Sequence, residues 1–311
     1  MALTTPRITT EIVTAESLGK KADVRGAVFK AVLQIALFLT ILILAVLIYQ
    51  MVTGGWSVLS TRLGDFLTSP TSALPQRAGI AQALKGTFWL GIIVVLVAFP
   101  IGIGAGIYLE EYDHNGRLIN FVDINIRNLA GVPSVVYGIL GLAVFAKFLS
   151  GFTGGNTIIA GGLTLAVLVM PIVIITTMEA VRAVPDAIRE GGFGVGATRW
   201  EIIRHFVLPY AAPGIITGTI LSLARAIGEA APLLLVGAIA KPGGNPGLFD
   251  LSQLRESFTA MPVLITDWSA EAKEGFVAST AAAIVVMLII VLIANGSAIM
   301  LRNRYENKRN G

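Results

Sequence analysis

Between Lys85 and Glu110 no residue carries a charge, and the same is true between Glu274 and Arg302. A helix needs about 20 apolar residues to cross the hydrocarbon core of a bilayer, where only internal hydrogen bonds can satisfy the backbone. Uncharged runs of this length force a helical, membrane-spanning chain. Further candidate spans lie at 31–49, between Arg127 and Lys147, at 156–178, and at 208–240. That makes six. The stretch 208–240 is too long for one straight crossing and is expected to break, or to extend into the interface, near Pro232. Composition agrees: 14% of the 311 residues are charged, against about 25% in soluble domains. The expected fold class is all-α, a polytopic membrane protein with about six transmembrane helices over 28–302. Residues 1–27 and 303–311 are read as polar tails.

The first 27 residues carry Glu11, Glu16, Lys20, Lys21, Asp23 and Arg25 ahead of any apolar run. That does not match a secretory signal, and a mobile or surface-lying tail is expected. Orientation follows from Lys and Arg in the loops. Of the 23, fifteen fall on the side holding both tails and residues 179–207, seven fall on the other, and Arg225 lies inside a span. Both termini are therefore expected to be cytoplasmic. There is no cysteine and there are only two histidines, His114 and His205, so no cysteine-based or histidine-rich metal centre is expected.

Gly192-Phe193-Gly194-Val195-Gly196-Ala197 fits G-x-G-x-x-[GA], the fingerprint of dinucleotide sites. That chemistry needs a strand before the glycines and an acidic residue about 20 positions on. Here Pro185-Asp186 suits a helix start instead, and the apolar start of a span follows. The phosphate-loop pattern GxxxxGK[ST] is absent, so the chain is expected to bind no nucleotide and to be no enzyme. The spacing fits a short helix from "PDAIRE", a turn at Gly196, and a second short helix from "ATRWEIIRHF". Trp200, Ile203 and Val207 fall on one apolar face. Such a face suits either a knob docking into a partner's groove or a helix lying at lipid headgroups.

Glu190, Gly191, Gly192, Gly196, Phe206, Leu208 and Pro209 match the spacing E-A-A-x3-G-x9-I-x-L-P. This resembles the cytoplasmic loop of ABC importer permeases, with Gly191 and Gly192 in place of the alanines and Phe206 in place of isoleucine. The resemblance favours the docking knob. It implies a type I importer permease fold in which 179–207 is a coupling helix pair, with Glu190, Gly191, Gly192, Gly196, Ala197, Trp200, Leu208 and Pro209 meeting an ATPase. "PIGIGAGIYLEEY" (100–112), "GVPSVVYGILGLAVF" (131–145), "ARAIGEAAPLLLVGA" (224–238) and "MPVLITDWSAEAKEGF" (261–276) are similar to the phosphate permease subunit of the PstA type. That resemblance implies a second permease (PstC type), a pair of ATPase subunits (PstB type) holding ATP and Mg, and an extracytoplasmic phosphate-binding protein (PstS type). A permease for molybdate, sulfate or phosphonate is the nearest alternative. A secondary transporter and an intramembrane enzyme fit less well, and a role in signalling phosphate supply stays open.

Arg225 and Glu229 are the only charges well inside a candidate span, and they stand four residues apart. Charges there tend to face a cavity or a partner. The pair either lines the phosphate path, where a forked guanidinium suits the oxyanion, or pins the span to a neighbour. Gly102 and Gly106 are read as close helix packing. Gly131-Val132-Pro133-Ser134 is read as a packing kink, and Glu110, Glu111 and Asp113 as solvated loop charges beside His114. "LSQLRESF" (251–258) is a candidate short helix.

Overall fold

A computed structural model describes residues 24–112, 116–239, 247–271 and 274–310. Asp113 and His114 lie outside the described residues, as do residues 1–23. The chain forms two compact units that meet in sequence at Met51 and Val52. The first contains most of α1 (Val24–Thr61), and no residue from Val24 to Gln50 is buried.

The second unit contains the end of α1 and then α2 (Leu63–Thr68), α3 (Ala81–Glu111) and α4 (Arg117–Ala130). Next come α5 (Ser134–Gly141), continued by π turns over Leu142–Phe148, the short α6 (Ser150–Thr153) and α7 (Ile158–Arg182). α8 (Asp186–Gly194) and α9 (Arg199–Ile202) follow. A π segment (Ile203–Val207) joins α9 to α10 (Leu208–Gly228). The order closes with α11 (Ala231–Val236), a 3-10 turn (Leu251–Arg255), α12 (Met261–Ala270) and α13 (Glu274–Asn310). No strand occurs among the described residues.

Among the described residues five helices are long and apolar enough to cross a membrane: α1, α3, α7, the continuous rod Arg199–Gly228, and α13. The expected span between Arg127 and Lys147 is not a kinked rod. α4 and the Ser134–Phe148 segment meet at 101° and make a sixth crossing only when counted together. Pro133 explains the break. Its ring disfavours helical geometry at Val132, and it starts the next helix with φ −56° and ψ 139°. The stretch 208–240 does break, but at Glu229, which is extended (ψ 116°). Pro232 stands in the first turn of α11, where a missing N–H costs nothing. The 303–311 tail continues α13 as helix through Asn310.

α7 is the most buried of these spans and α3 packs along it. In hydrocarbon, helices gain little by hiding apolar surface, so close packing of small residues drives association. A Cβ at Gly102 would stand 2.7 Å from Val173 Cγ1, and one at Gly106 would stand 2.7 Å from Thr177 Cβ. Gly104 has nothing within 4 Å. The expected small-residue pair is therefore the α3–α7 contact. Toward the start of α3, Phe66, Trp268 and Phe276 form a sealed aromatic cluster. Beside them Arg62 donates to the carbonyls of Pro75, Gln76 and Ala78, which orders the link between α2 and α3.

Candidate functional site

Between Arg182 and Leu208 the chain folds as a helix, a glycine turn and a second helix. α8 ends in a hydrogen-bonded left-handed cap. Gly196 N–H donates to Phe193 O (2.9 Å) and Ala197 N–H to Gly192 O (3.1 Å). Gly196 has φ +82° with open space around it, so backbone conformation and not crowding calls for glycine there. Two residues on, Thr198 opens α9 with a reciprocal cap. Its N–H donates to Glu201 Oε2 at 2.8 Å, and its Oγ1 accepts from Glu201 N–H at 3.4 Å. The T-x-x-E pattern was visible in the sequence as a helix start and adds two residues to the loop.

α9 is not a separate short helix. It runs through the π segment into α10, so the second half of the loop and a membrane span form one rod. Pro209 lacks an N–H and its ring crowds the carbonyl four residues back. The wider turn accommodates this, with Leu208 N–H reaching Ile203 O. Ile202, Ile203 and Val207 are buried, while Trp200 is 56% exposed, so the expected Trp200–Ile203–Val207 face does not form. Trp200 instead joins Phe193 and Val195 as large apolar side chains open to the outside around the glycine turn. Phe193 and Val195 were missed in the sequence because they read as spacers between glycines. Glu190, Gly191 and Pro209 are exposed, and Leu208 and Ala197 are half-buried. Gly192 is buried against Ile202, whose Cγ1 would lie 2.7 Å from an added Cβ. The glycine in place of the signature's alanine thus matches a bulky isoleucine opposite.

Glu110 and Glu111 are not solvated. Both are buried, at 6% and 7% exposure. Arg182 donates Nε and Nη2 to the two oxygens of Glu110, each at 2.8 Å. Arg189 donates Nε and Nη2 to Glu111 Oε1 at 3.1 and 2.8 Å. It also reaches Val184 O, Asp186 Oδ1 and Val181 O, so all five N–H donors of the fork are used. Arg199 adds a bond to Tyr112 O (3.1 Å) and lies over its ring. Three arginines from 182–199 thus hold the end of α3.

Arg225 differs. It sits in the last turn of α10, and its Nε is 3.5 Å from Glu229 Oε1, a distance too long for a strong bond. The pair is not on one continuous helical face, because Glu229 has left the helix. Arg225 makes no hydrogen bond among the described residues, and its side chain is 49% exposed. On the other side of α10, Leu223 and Ile227 border an open groove of about 900 Å³ that α3 lines with Phe88, Ile92 and Val95. That groove is apolar apart from Lys85, Thr68 and Thr87. Among the described residues no cluster of His, Asp or Glu is placed to hold a metal ion.

The chain is 32% identical over 226 residues to the phosphate transport system permease protein PstC of Mesorhizobium japonicum, covering 65% of this chain and 69% of that one. It is 31% identical over 259 residues to a PstA phosphate transport system permease protein of Mycobacterium tuberculosis, covering 82% and 81%. Its fold superposes, with a TM-score of 0.61, on a bacterial ABC transporter involved in the import of the acidic polysaccharide alginate. That match is 18% identical and covers 89% of this chain and 98% of the other. Residues 99–307 match the family described as binding-protein-dependent transport system inner membrane component. The chain is a multi-pass membrane protein with an ABC importer permease fold, and it belongs to the inner membrane components of binding-protein-dependent transport systems.

Proposed function

We propose that this chain is the PstA-type permease subunit of an ATP-driven importer of inorganic phosphate and forms half of the translocation path. The observation that carries this reading is Arg225. It is an arginine at a helix break inside the membrane domain, half exposed and without a hydrogen bond among the described residues. A forked guanidinium with free donors matches phosphate oxygens, and the likeness to phosphate permeases extends over four fifths of the chain. Glu229, 3.5 Å away, can take the arginine back when the anion leaves, which keeps the contact transient.

The apolar set Phe193, Val195 and Trp200 around Gly196, with Glu190 exposed beside it, is the docking knob for a cytoplasmic ATPase pair. ATP and Mg belong to those partners, and this chain performs no chemistry of its own. A second permease of the PstC type completes the path, and an extracytoplasmic binding protein of the PstS type delivers phosphate. Both termini then lie on the cytoplasmic side, in keeping with the basic excess of the tails and of 179–207.

The test is radiolabelled phosphate uptake in cells lacking this chain, complemented with wild type or Glu190→Arg at matched membrane levels. Wild type restores uptake, and Glu190→Arg loses co-purification with the ATPase. If wild type leaves phosphate uptake unchanged but restores that of another oxyanion, the substrate assignment falls.

A further inference from the structure

Glu110 and Glu111 are two adjacent buried carboxylates at the end of a membrane helix, and both are held by the segment that carries the docking signature. We infer that Glu111 and Arg189, with Glu110 and Arg182 beside them, are positioning residues that make the end of α3, the end of α7 and the docking helix α8 move as one body. This rests on the transport reading above and deepens it.

The connectivity shows why such a link is needed. α8 is joined to α7 only through Ala183-Val184-Pro185, and α3 reaches it by no short covalent route, since Glu111 and Arg189 are 78 residues apart. α8 also packs on Ile202 through Gly192 and joins the apolar cluster of Val181, Val184 and Val207 through Ile188. The Arg189 fork adds to that packing a directional, charged hold on α3. Nε and one Nη2 hydrogen hold the α3 carboxylate, and the remaining donors hold the carbonyls of Val181 and Val184, at and just beyond the end of α7, and Asp186 at the start of α8. Cations at a helix C-terminus are favourably placed for this. Moving α8 away from α3 would leave the Glu111 side chain, 6% exposed, without its partner. A buried carboxylate in that state is strongly disfavoured. The loop therefore feeds movement by two routes. One runs straight along the α9–α10 rod, and the other crosses the arginine clamp into α3 and α7. The two routes meet again at the groove, where α3 faces Leu223 and Ile227 of α10.

The experiment reconstitutes the complex of this chain with its partner subunits in proteoliposomes and measures ATP hydrolysed per phosphate moved. Glu111→Gln keeps size and an acceptor but loses the charge. The expected result is a complex that assembles and hydrolyses ATP, with ATP per phosphate raised on the order of fivefold, the lower end of the range that coupling between sites spans. Glu110→Arg and Arg182→Glu each raise the ratio, and the double variant restores it, because Arg182 bonds only to Glu110 among the described residues. An unchanged ratio in Glu111→Gln overturns the inference. So does a parallel fall of hydrolysis and transport, which marks a merely structural role. If Glu111→Gln does not assemble, the swap decides, and a double variant no better than its singles overturns the inference. A wild-type complex that moves no phosphate sinks the transport reading instead. The linkage is then read from ATP hydrolysis alone, whose dependence on added binding protein must weaken in Glu111→Gln.

Discussion

Arg189 and Arg225 carry the same guanidinium and differ in what surrounds it. The Arg189 side chain is 17% exposed and spends all five donors on two carboxylates and two backbone carbonyls. Arg225 is 49% exposed and has one carboxylate at 3.5 Å. A saturated, nearly buried arginine fixes three helix ends in place. A half-exposed arginine with a loosely held partner can exchange that partner for a passing anion. The difference lies in the backbone, not in the side chain. Arg189 stands where two helix ends and a short linker converge, whereas Arg225 stands where a helix stops and its would-be partner has turned extended.

The comparison breaks first on stability. Arg189→Ala leaves Glu111 buried without a partner and should destabilise the chain by about 3–5 kcal/mol. Arg225→Ala removes no hydrogen bond among the described residues and leaves no buried carboxylate stranded, so it should cost less than Arg189→Ala. Thermal unfolding of the solubilised protein reads both, and equal losses would abolish the distinction. Arg189→Lys keeps the charge but has at most three donors for five acceptor contacts. A loss of about 1–3 kcal/mol is expected, measured the same way. Glu229→Gln sharpens the other half. With its competitor weakened, Arg225 should hold phosphate longer, so KM and kcat should fall together in uptake kinetics. A rise in KM would place Glu229 in substrate binding instead. The last is Gly192→Ala, which restores the signature's alanine against Ile202. Overpacking that contact by a methyl should cost about 1–3 kcal/mol, partly offset by about 1 kcal/mol of helix propensity, and the clash should be relieved by Ile202→Ala, which removes the Cγ1 that the new methyl meets.

The fold was legible where one physical rule dominates. Uncharged runs of helical length located α3, α7 and α13, and Gly196 marked a turn that needs positive φ. The bend at Val132-Pro133 was visible as a break but not in size, because sequence alone does not say how far two helices swing once a proline separates them. The inward face of α9 was misassigned because the i, i+3, i+7 match passed over Ile202; the buried side is centred on Ile202, Ile203 and Val207, which leaves Trp200 on its flank. The largest omission was the burial of Glu110 and Glu111. Their partners lie 72 and 78 residues away, and no local pattern joins them. The available signal was indirect: paired acids end one span, and Arg182 and Arg189 follow another on the same side of the membrane. The Arg225–Glu229 pair was legible as to its members but not its geometry, since i,i+4 spacing presumes a helix that ends at Gly228.

The most direct measurement is radiolabelled phosphate uptake by cells carrying Arg225→Ala, compared with wild type at matched membrane levels and matched ATPase co-purification. The expected result is an assembled complex with uptake abolished, and partial uptake for Arg225→Lys. Wild-type uptake by Arg225→Ala would contradict the assignment of the half-exposed arginine to the anion path.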